Sequence, residues 1–536
     1  MMMKKQLIFI FLCFLINASA NPVYDSFSKC FAQQKIPADQ IAKILYSPEN
    51  PSFANVLNSL VRNRRFNVST TPKPNTIITP TAEVHVSAAV ICSKQLKIQL
   101  KIRSGGHDYE GLSYVSNNQN SFVVLDTFNF RSINVSVEDQ SAWVQSGAML
   151  GELYYRIWEK SNLLGFPGGV CPTVGVGGHI SGAGYGNMIR KYGLTVDHVV
   201  DAKIVDANGR VLDRSSMGED LFWAICGGGG ASFGVILAYK IKLVPVPPNV
   251  TVFNVQKYVD QNAIGSVFKY QQIVDKIDND LFIRVLLQPI TVNKTRSVRA
   301  TFIGMFLGEP GRLLSITDAQ FPELGLKKPD CLVKRWIDSV LYWNNFDNTT
   351  SPSVLLNRTP DSVNFLKRKS DYVKSPISES GLESLFKKMV EIGKVGLVFN
   401  SYGGVMKEIP ESATPFPHRA GNLFKIQYSV NWQEEGEEAD TNYVQQIREL
   451  HEFMTPFVSS NPRESYLNYR DLDIGVTNNS GNGYEQGKVY GLKYFKNNFY
   501  RLVKIKTKVD PDNVFRNEQS IPVLPRLGKK MISMTL

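Results

Sequence analysis

The spacing of apolar and polar positions changes along the chain. Residues 31–66 keep helical spacing, with Ile41, Ile44 and Leu45 on one side. From Thr71 to about Val246 short β-branched runs take over. Asn75–Thr79, Leu96–Ile102 and Phe122–Leu125 alternate with helical stretches and glycine loops, which predicts two small α/β units. Val244-Pro-Val-Pro-Pro248 marks a boundary. Beyond it, Phe282-Ile-Arg-Val-Leu-Leu and Val298-Arg-Ala-Thr-Phe-Ile read as strands. Segments around Ile264, Val267 and Phe268, around Leu382, Leu385, Phe386 and Met389, and around Val444, Ile447 and Leu450 read as helices. An antiparallel sheet backed by helices is the simplest assembly. Phe424–Trp432 alternates strictly. Lys425, Gln427, Ser429 and Asn431 share one face of a strand, and Phe424, Ile426, Tyr428, Val430 and Trp432 share the other.

The N-terminus joins Lys4 and Lys5 to a short apolar run ending at Ile16, then Asn17-Ala-Ser-Ala20. This predicts a signal peptide cleaved after Ala20, too short to anchor in a bilayer, and hence a soluble secreted protein. The 536 residues suffice for two or three domains, and a composition 43% hydrophobic and 20% charged is that of a globular protein. The formal charge of +12, less the two leader lysines, leaves +10. Its basic residues are dispersed, which argues against nucleic acid and suits loose association with an acidic cell-wall polysaccharide. Sequons at Asn67, Asn134, Asn249, Asn293, Asn348, Asn357 and Asn478 fit the secretory route. The mature cysteines are Cys30, Cys92, Cys171, Cys226 and Cys331; the odd number leaves at least one outside any bridge. Apart from His107, the histidines lack metal-ligand spacing, so no metal is expected.

Two segments carry the chemistry: Arg103-Ser-Gly-Gly-His107-Asp-Tyr109-Glu-Gly111 and Gly169-Val-Cys171-Pro-Thr-Val174-Gly-Val-Gly-Gly-His179. Each sets one nucleophilic side chain in a run of glycines, where a backbone can approach a flat or phosphorylated ligand. Glycines cluster over Ser104–Ser113, Gly175–Gly186 and Gly227–Gly234, with neither a Rossmann fingerprint nor a Walker loop. One cluster alone reads as tight turns. Three with an embedded histidine and cysteine point to a dinucleotide such as FAD.

These motifs resemble the berberine bridge enzyme-like FAD-linked oxidoreductases of plants, along the whole mature chain. The resemblance implies an α+β fold. A helical segment (21–70) precedes a two-subdomain FAD-binding domain of the PCMH type (71–246). A substrate domain follows (247–464), an antiparallel sheet backed by helices, and then a C-terminal segment (465–536) that returns to the FAD domain. It implies FAD attached through both His107 and Cys171. Arg103, Ser104, Gly105, Gly106, Gly111, Val174, Gly177, Gly178, Gly182, Gly184 and Gly234 would surround it, with His179 structural. It implies a Cys30–Cys92 bridge, leaving Cys226 and Cys331 to pair or stay buried. For catalysis it implies Tyr109 or Tyr469 as base, Lys425 as electrostatic partner lowering the phenol pKa, Gln427 orienting substrate and Tyr185 walling the pocket.

One position departs from the family's usual pattern and another from berberine bridge enzyme itself, the latter resembling the alcohol- and carbohydrate-oxidising members. Cys226 stands where an arginine usually precedes the four glycines. Gln427 stands where berberine bridge enzyme has its glutamate base, which argues against bridge-forming chemistry. Val174 occupies the family's oxygen-gating position, so the expectation is an oxidase releasing hydrogen peroxide. The substrate is a monolignol-like alcohol or a sugar. An oxidative cyclase like the cannabinoid synthases and a scaffold for a non-redox cyclisation or cycloaddition are the alternatives. The expected partners are a small-molecule substrate and dioxygen, with no nucleic acid and no membrane span. The chain is expected to be a monomer in cell wall, apoplast or vacuole.

Overall fold

The computed structural model describes residues 21–116, 121–359, 363–478 and 483–525; the leader and its cleavage point at Ala20 lie outside them. At the start, Asn21 Oδ1 accepts the Tyr24 N–H at 3.0 Å and Pro22 occupies the first turn, so a helix begins at once, Pro22–Gln33. The helical character read over 31–66 is realised in short pieces. Lys35 at φ 64° and Pro37 end the first helix, and shorter ones follow at Ala38–Ile44 and Phe53–Asn58.

Strands β1 (Leu45–Tyr46), β2 (Thr76–Ile78), β3 (Gln99–Arg103) and β4 (Phe122–Asp126) form a sheet of order β1-β2-β4-β3, parallel except at β1. The helix Glu83–Leu96 crosses from β2 to β3 and is bonded to the first helix by the Cys30–Cys92 disulfide. Cys226 is buried and Cys331 half-buried. They do not pair, and the Cys331 thiol contacts the Lys327 carbonyl at 3.6 Å.

A second, antiparallel sheet contains β5 (Ile133–Ser136), β6 (Ser141–Gln145), β8 (Val199–Val205), β9 (Val211–Leu212) and β10 (Val235–Lys242) in the order β5-β6-β10-β8-β9. A small pair, β7 (Leu164–Gly165) with β11 (Val244–Pro245), lies at its exit. The third sheet is wholly antiparallel. Its strands are β12 (Val250–Lys257), β13 (Leu281–Val292), β14 (Thr295–Phe306), β15 (Leu332–Lys334), β16 (Phe365–Val373), β17 (Gly396–Ser401) and β18 (Phe424–Trp432), ordered β15-β12-β14-β13-β17-β18-β16.

The alternation of β18 is realised. Phe424, Ile426, Tyr428, Val430 and Trp432 join a core with Leu382, Leu385, Met389, Val444, Ile447 and Leu450 from the backing helices. The other face carries Gln427, Val398, Leu286 and Arg284 toward the glycine loops. The C-terminal segment packs back on the first sheet, where Lys101 Nζ meets Glu518 Oε2 at 2.6 Å in a buried pair. All seven sequon asparagines are exposed. Among the described residues no helix is long and apolar enough to cross a membrane, and no three His, Cys, Asp or Glu side chains converge as a metal site would require.

Candidate active site

Between the glycine loops and the polar face of the third sheet lies a cleft of about 590 Å³. Loop 104–116 follows β3 and carries His107 and Tyr109; loop 169–178 carries Cys171. The two loops touch at Gly105, where a Cβ would sit 2.3 Å from the Gly175 nitrogen. No residue larger than glycine allows that approach. Gly178 has no atom within 4 Å of where a Cβ would be, and the space there belongs to the cleft.

His107 Nε2 shares a hydrogen bond of 2.9 Å with Thr173 Oγ1, so the imidazole is held by the cysteine loop. Burial, with the nearby Arg62 cation, pulls its pKa down to about 3, leaving a neutral ring. Cys171 is unpaired and open to the cleft; the surrounding walls raise its thiol pKa, against the pull of Arg284 and Arg368. Ser104, Gly105, Gly106, Val174, Gly177, Gly178, Gly182 and Gly234 line the same cleft.

Three residues expected at the cofactor do not line it. The fully buried Arg103 bonds Asp126 Oδ2 at 2.6 and 3.0 Å and the carbonyls of Val56 and Leu57. It is the cross-strand partner of Asp126 on β4, and that pairing fixes its direction. Gly111 abuts Phe66, and Gly184 abuts His179 and Thr195. His179 is structural as expected: its Nε2 accepts the Gly169 N–H at 3.2 Å and meets Thr195 Oγ1 at 3.1 Å.

The tyrosines converge from three segments. Tyr185 and Tyr469 share a hydrogen bond between their hydroxyls. Gln427 Nε2 donates to Tyr109 Oη at 3.0 Å, and the Tyr109 and Tyr469 rings are 5.8 Å apart. Lys425 is fully buried behind them. Its Nζ has no hydrogen-bond partner and lies 3.5, 3.6 and 4.6 Å from the ring centroids of Tyr185, Tyr466 and Tyr469.

The expectation that the lysine lowers a phenol pKa meets a stronger effect. Desolvation pushes Tyr109 up to about 12 and Tyr185 and Tyr469 upward, and it drives the Lys425 amine well below its ordinary range. Sequence reasoning missed Arg284, Arg368, Tyr466 and Trp343. Arg284 lies over Trp343 at 5.1 Å and bonds Asn400 Oδ1 at 2.8 Å; Arg368 lies 5.6 Å from the Tyr109 ring. The available signal was a lone arginine inside an apolar strand, Phe282-Ile-Arg-Val.

A glycine-walled cleft with two uncommitted nucleophiles facing it fits a large flat cofactor. The sequence profile of an FAD binding domain matches residues 74–215, and one described as berberine and berberine like matches residues 465–522. Berberine bridge enzyme-like 21 of Arabidopsis thaliana is 57% identical over 529 residues, covering 96% of this chain and 98% of its own. The chain belongs to the berberine bridge enzyme-like family. Among solved structures it is similar to Phl p 4, a grass pollen allergen with glucose dehydrogenase activity (42% identity, TM-score 0.88, 93% of this chain and all of that one). It is also similar to a berberine bridge enzyme variant (38% identity, TM-score 0.87, 93% of this chain and all of that one). As a member of that family, the protein is an FAD-binding oxidoreductase. Gln427 on β18 faces Tyr109 across the cleft.

Proposed function

We propose that this chain is a secreted oxidase of hydroxyl-bearing small molecules, with FAD linked covalently through His107 and Cys171. The observation that carries this is the convergence on one cleft of those two nucleophiles, the Tyr185–Tyr469 pair over Lys425, and the Gln427–Tyr109 bond. When bound, FAD supplies an acceptor for hydride. Gln427 and Tyr109 hold the substrate hydroxyl, and Tyr469 takes its proton. Tyr469 ionises at a cost, since desolvation raises its pKa; Arg284 opposes that cost, and a proton on the Lys425 amine, 4.6 Å from the Tyr469 ring centroid, would oppose it further. The substrate loses two electrons and dioxygen becomes hydrogen peroxide. Val174 on the cleft wall leaves dioxygen a route. A grass-pollen Phl p 4 variant, itself a glucose oxidase, makes an oxidase reading natural for this cleft.

The wall of Leu286, Val398 and Trp343 beside Arg284 and Gln427 favours a flat aryl alcohol over a sugar. The disulfide and the exposed sequons support the secretory route, toward cell wall, apoplast or vacuole, as a monomer organised into the four segments given above. An anaerobic titration of the purified secreted protein tests this, with coniferyl alcohol, cellobiose and a prenylated phenol added in turn. Bleaching of the yellow absorbance by coniferyl alcohol supports it. Bleaching by the prenylated phenol alone moves the reading to an oxidative cyclase. If none bleaches a flavin that dithionite reduces, the oxidase reading fails for these substrates and the non-redox alternative gains.

A further inference from the structure

Behind the tyrosines lies a second charged assembly that touches neither cleft nor solvent. Lys367 Nζ is bonded to Glu110 Oε1 and, at 2.8 Å, to Asp471 Oδ1. Lys369 Nζ reaches Asp471 Oδ2 at 2.6 Å and Asp473 Oδ2 at 2.9 Å. Lys367, Lys369, Glu110 and Asp471 are each 1–5% exposed. At the rim Arg448 closes the charge balance on Asp473 at 2.6 Å.

Each member neighbours a cleft-lining tyrosine or the arginine packed against one. Glu110 follows Tyr109, Lys367 and Lys369 flank Arg368, and Asp471 lies two residues beyond Tyr469. β16 alternates, so its lysines point away from the cleft while Arg368 points toward the Tyr109 ring. Two further ties run in parallel. Asp108 Oδ2 accepts from Arg470 Nε at 2.8 Å, and Asn63 Nδ2 donates to the carbonyls of Tyr109 and Leu366 at 2.9 and 3.1 Å.

We infer that the Glu110–Lys367–Asp471–Lys369 cluster is a positioning device that holds the Tyr109 loop, the Tyr469 loop and strand β16 in catalytic register. The loops have little regular structure of their own, and loops left to themselves are mobile. β16 is an edge strand, with no further strand on its outer side, so side chains from neighbouring segments, these two loops among them, fix it there. A buried ion cluster adds little net stability over apolar replacements of the same shape. What it supplies is directionality: the Lys367 ammonium is satisfied only when Glu110 and Asp471 reach it from two separate loops, and Lys369 ties β16 a second time to the loop carrying Asp471 and Asp473. Breaking it therefore disturbs the cleft-lining Tyr109 and Tyr469 and, beside the Tyr109 ring, Arg368 at once.

The inference rests on the oxidase reading for what those groups do, and the experiment separates the two. Holoenzymes of wild type, Lys367→Met, Lys367→Arg and, as control, Lys388→Met are compared. The Lys388 pairs with Glu391 and Glu449 lie on the outer surface. The readouts are melting temperature, visible circular dichroism of the bound flavin, and kcat and KM for coniferyl alcohol. Lys367→Met should alter the flavin dichroism and lower kcat about tenfold or more, since small misplacements are costly in that measure. KM should move less, Lys367→Arg should recover part of the loss, and Lys388→Met should match wild type. A Lys367→Met protein that melts lower yet keeps wild-type dichroism and kcat overturns the inference. If wild type does not oxidise coniferyl alcohol, the substrate choice has failed and the dichroism decides alone: a change supports the cluster's role, none refutes it. Should Lys367→Met not fold, the isosteric Glu110→Gln takes its place under the same criteria.

Discussion

Replacing Lys425 with methionine should make the protein more stable while removing its activity. The amine is fully buried, has no hydrogen-bond partner, and faces three aromatic rings. An unsatisfied buried polar group costs about 1–3 kcal/mol. Methionine keeps the length and the apolar stem and has nothing to satisfy, so it should return about that amount. Attraction to the ring faces, up to about 2 kcal/mol for a desolvated cation, offsets the cost only while the amine is charged, and burial with Arg284 drives it toward neutrality. The pH dependence has a definite sign. The folded pKa lies below the ordinary 10.5 of the unfolded chain, so the folded state binds fewer protons. The proton-linked part of the penalty vanishes above pH 10.5 and grows as pH falls from there toward the folded pKa, while the cost of the unsatisfied neutral amine is common to all pH. Melting curves of both proteins from pH 6 to pH 10, in the same glycosylation state, should show an advantage for the variant that shrinks as pH rises. Turnover of coniferyl alcohol should fall by about 10²–10⁴ for loss of the group that supports the base. A variant that melts lower at every pH, or whose advantage is independent of pH, refutes the reasoning.

Other consequences are more local. Thr173→Val removes the hydroxyl that holds His107 Nε2 at 2.9 Å. One neutral hydrogen bond corresponds to about a fivefold effect, so the fraction of flavin that stays with acid-precipitated protein should form about fivefold more slowly, and Thr173→Ser should restore it. Val174→Leu narrows the cleft wall beside Cys171, and oxygen consumption after anaerobic reduction should slow relative to wild type in a stopped-flow trace. Cys30→Ser opens a bridge between residues 62 apart; constraint of a loop that long is worth about 4 kcal/mol, which a lower melting temperature and reduced secretion would register.

The two glycine loops that carry His107 and Cys171 were legible because each is local: a nucleophile amid glycines needs no knowledge of the fold to stand out. β18 was legible for a similar reason, since strict alternation over nine residues leaves one buried face. The N-terminal segment was legible as helical but not in its breaks, because the left-handed turn at Lys35 that separates the first two helices has no signal in the apolar spacing. Arg103 was misplaced because adjacency to a motif says nothing of direction. Its direction is set by the parallel pairing that brings Asp126 opposite, a contact between strands that sequence spacing does not reveal. Arg284 was hidden in the same way. Only the register of the third sheet sets Arg284 beside Asn400, Asn400 beside Lys425, and Lys425 beside Tyr372.

The electrostatics of the site were the least legible part, and the reason is physical. A lysine near a tyrosine suggests a lowered phenol pKa when both groups are pictured in water. Here the same walls that gather Tyr185, Tyr466 and Tyr469 around Lys425 exclude the water that would sustain either charge. Phenol and amine are each pushed toward neutrality. Ionising either group alone is costly, whereas opposite charges on both, with the Lys425 Nζ 4.6 Å from the Tyr469 ring centroid, would attract each other. The proton affinities of Tyr469 and Lys425 are thus set by the folded cage, and neither residue read singly shows them.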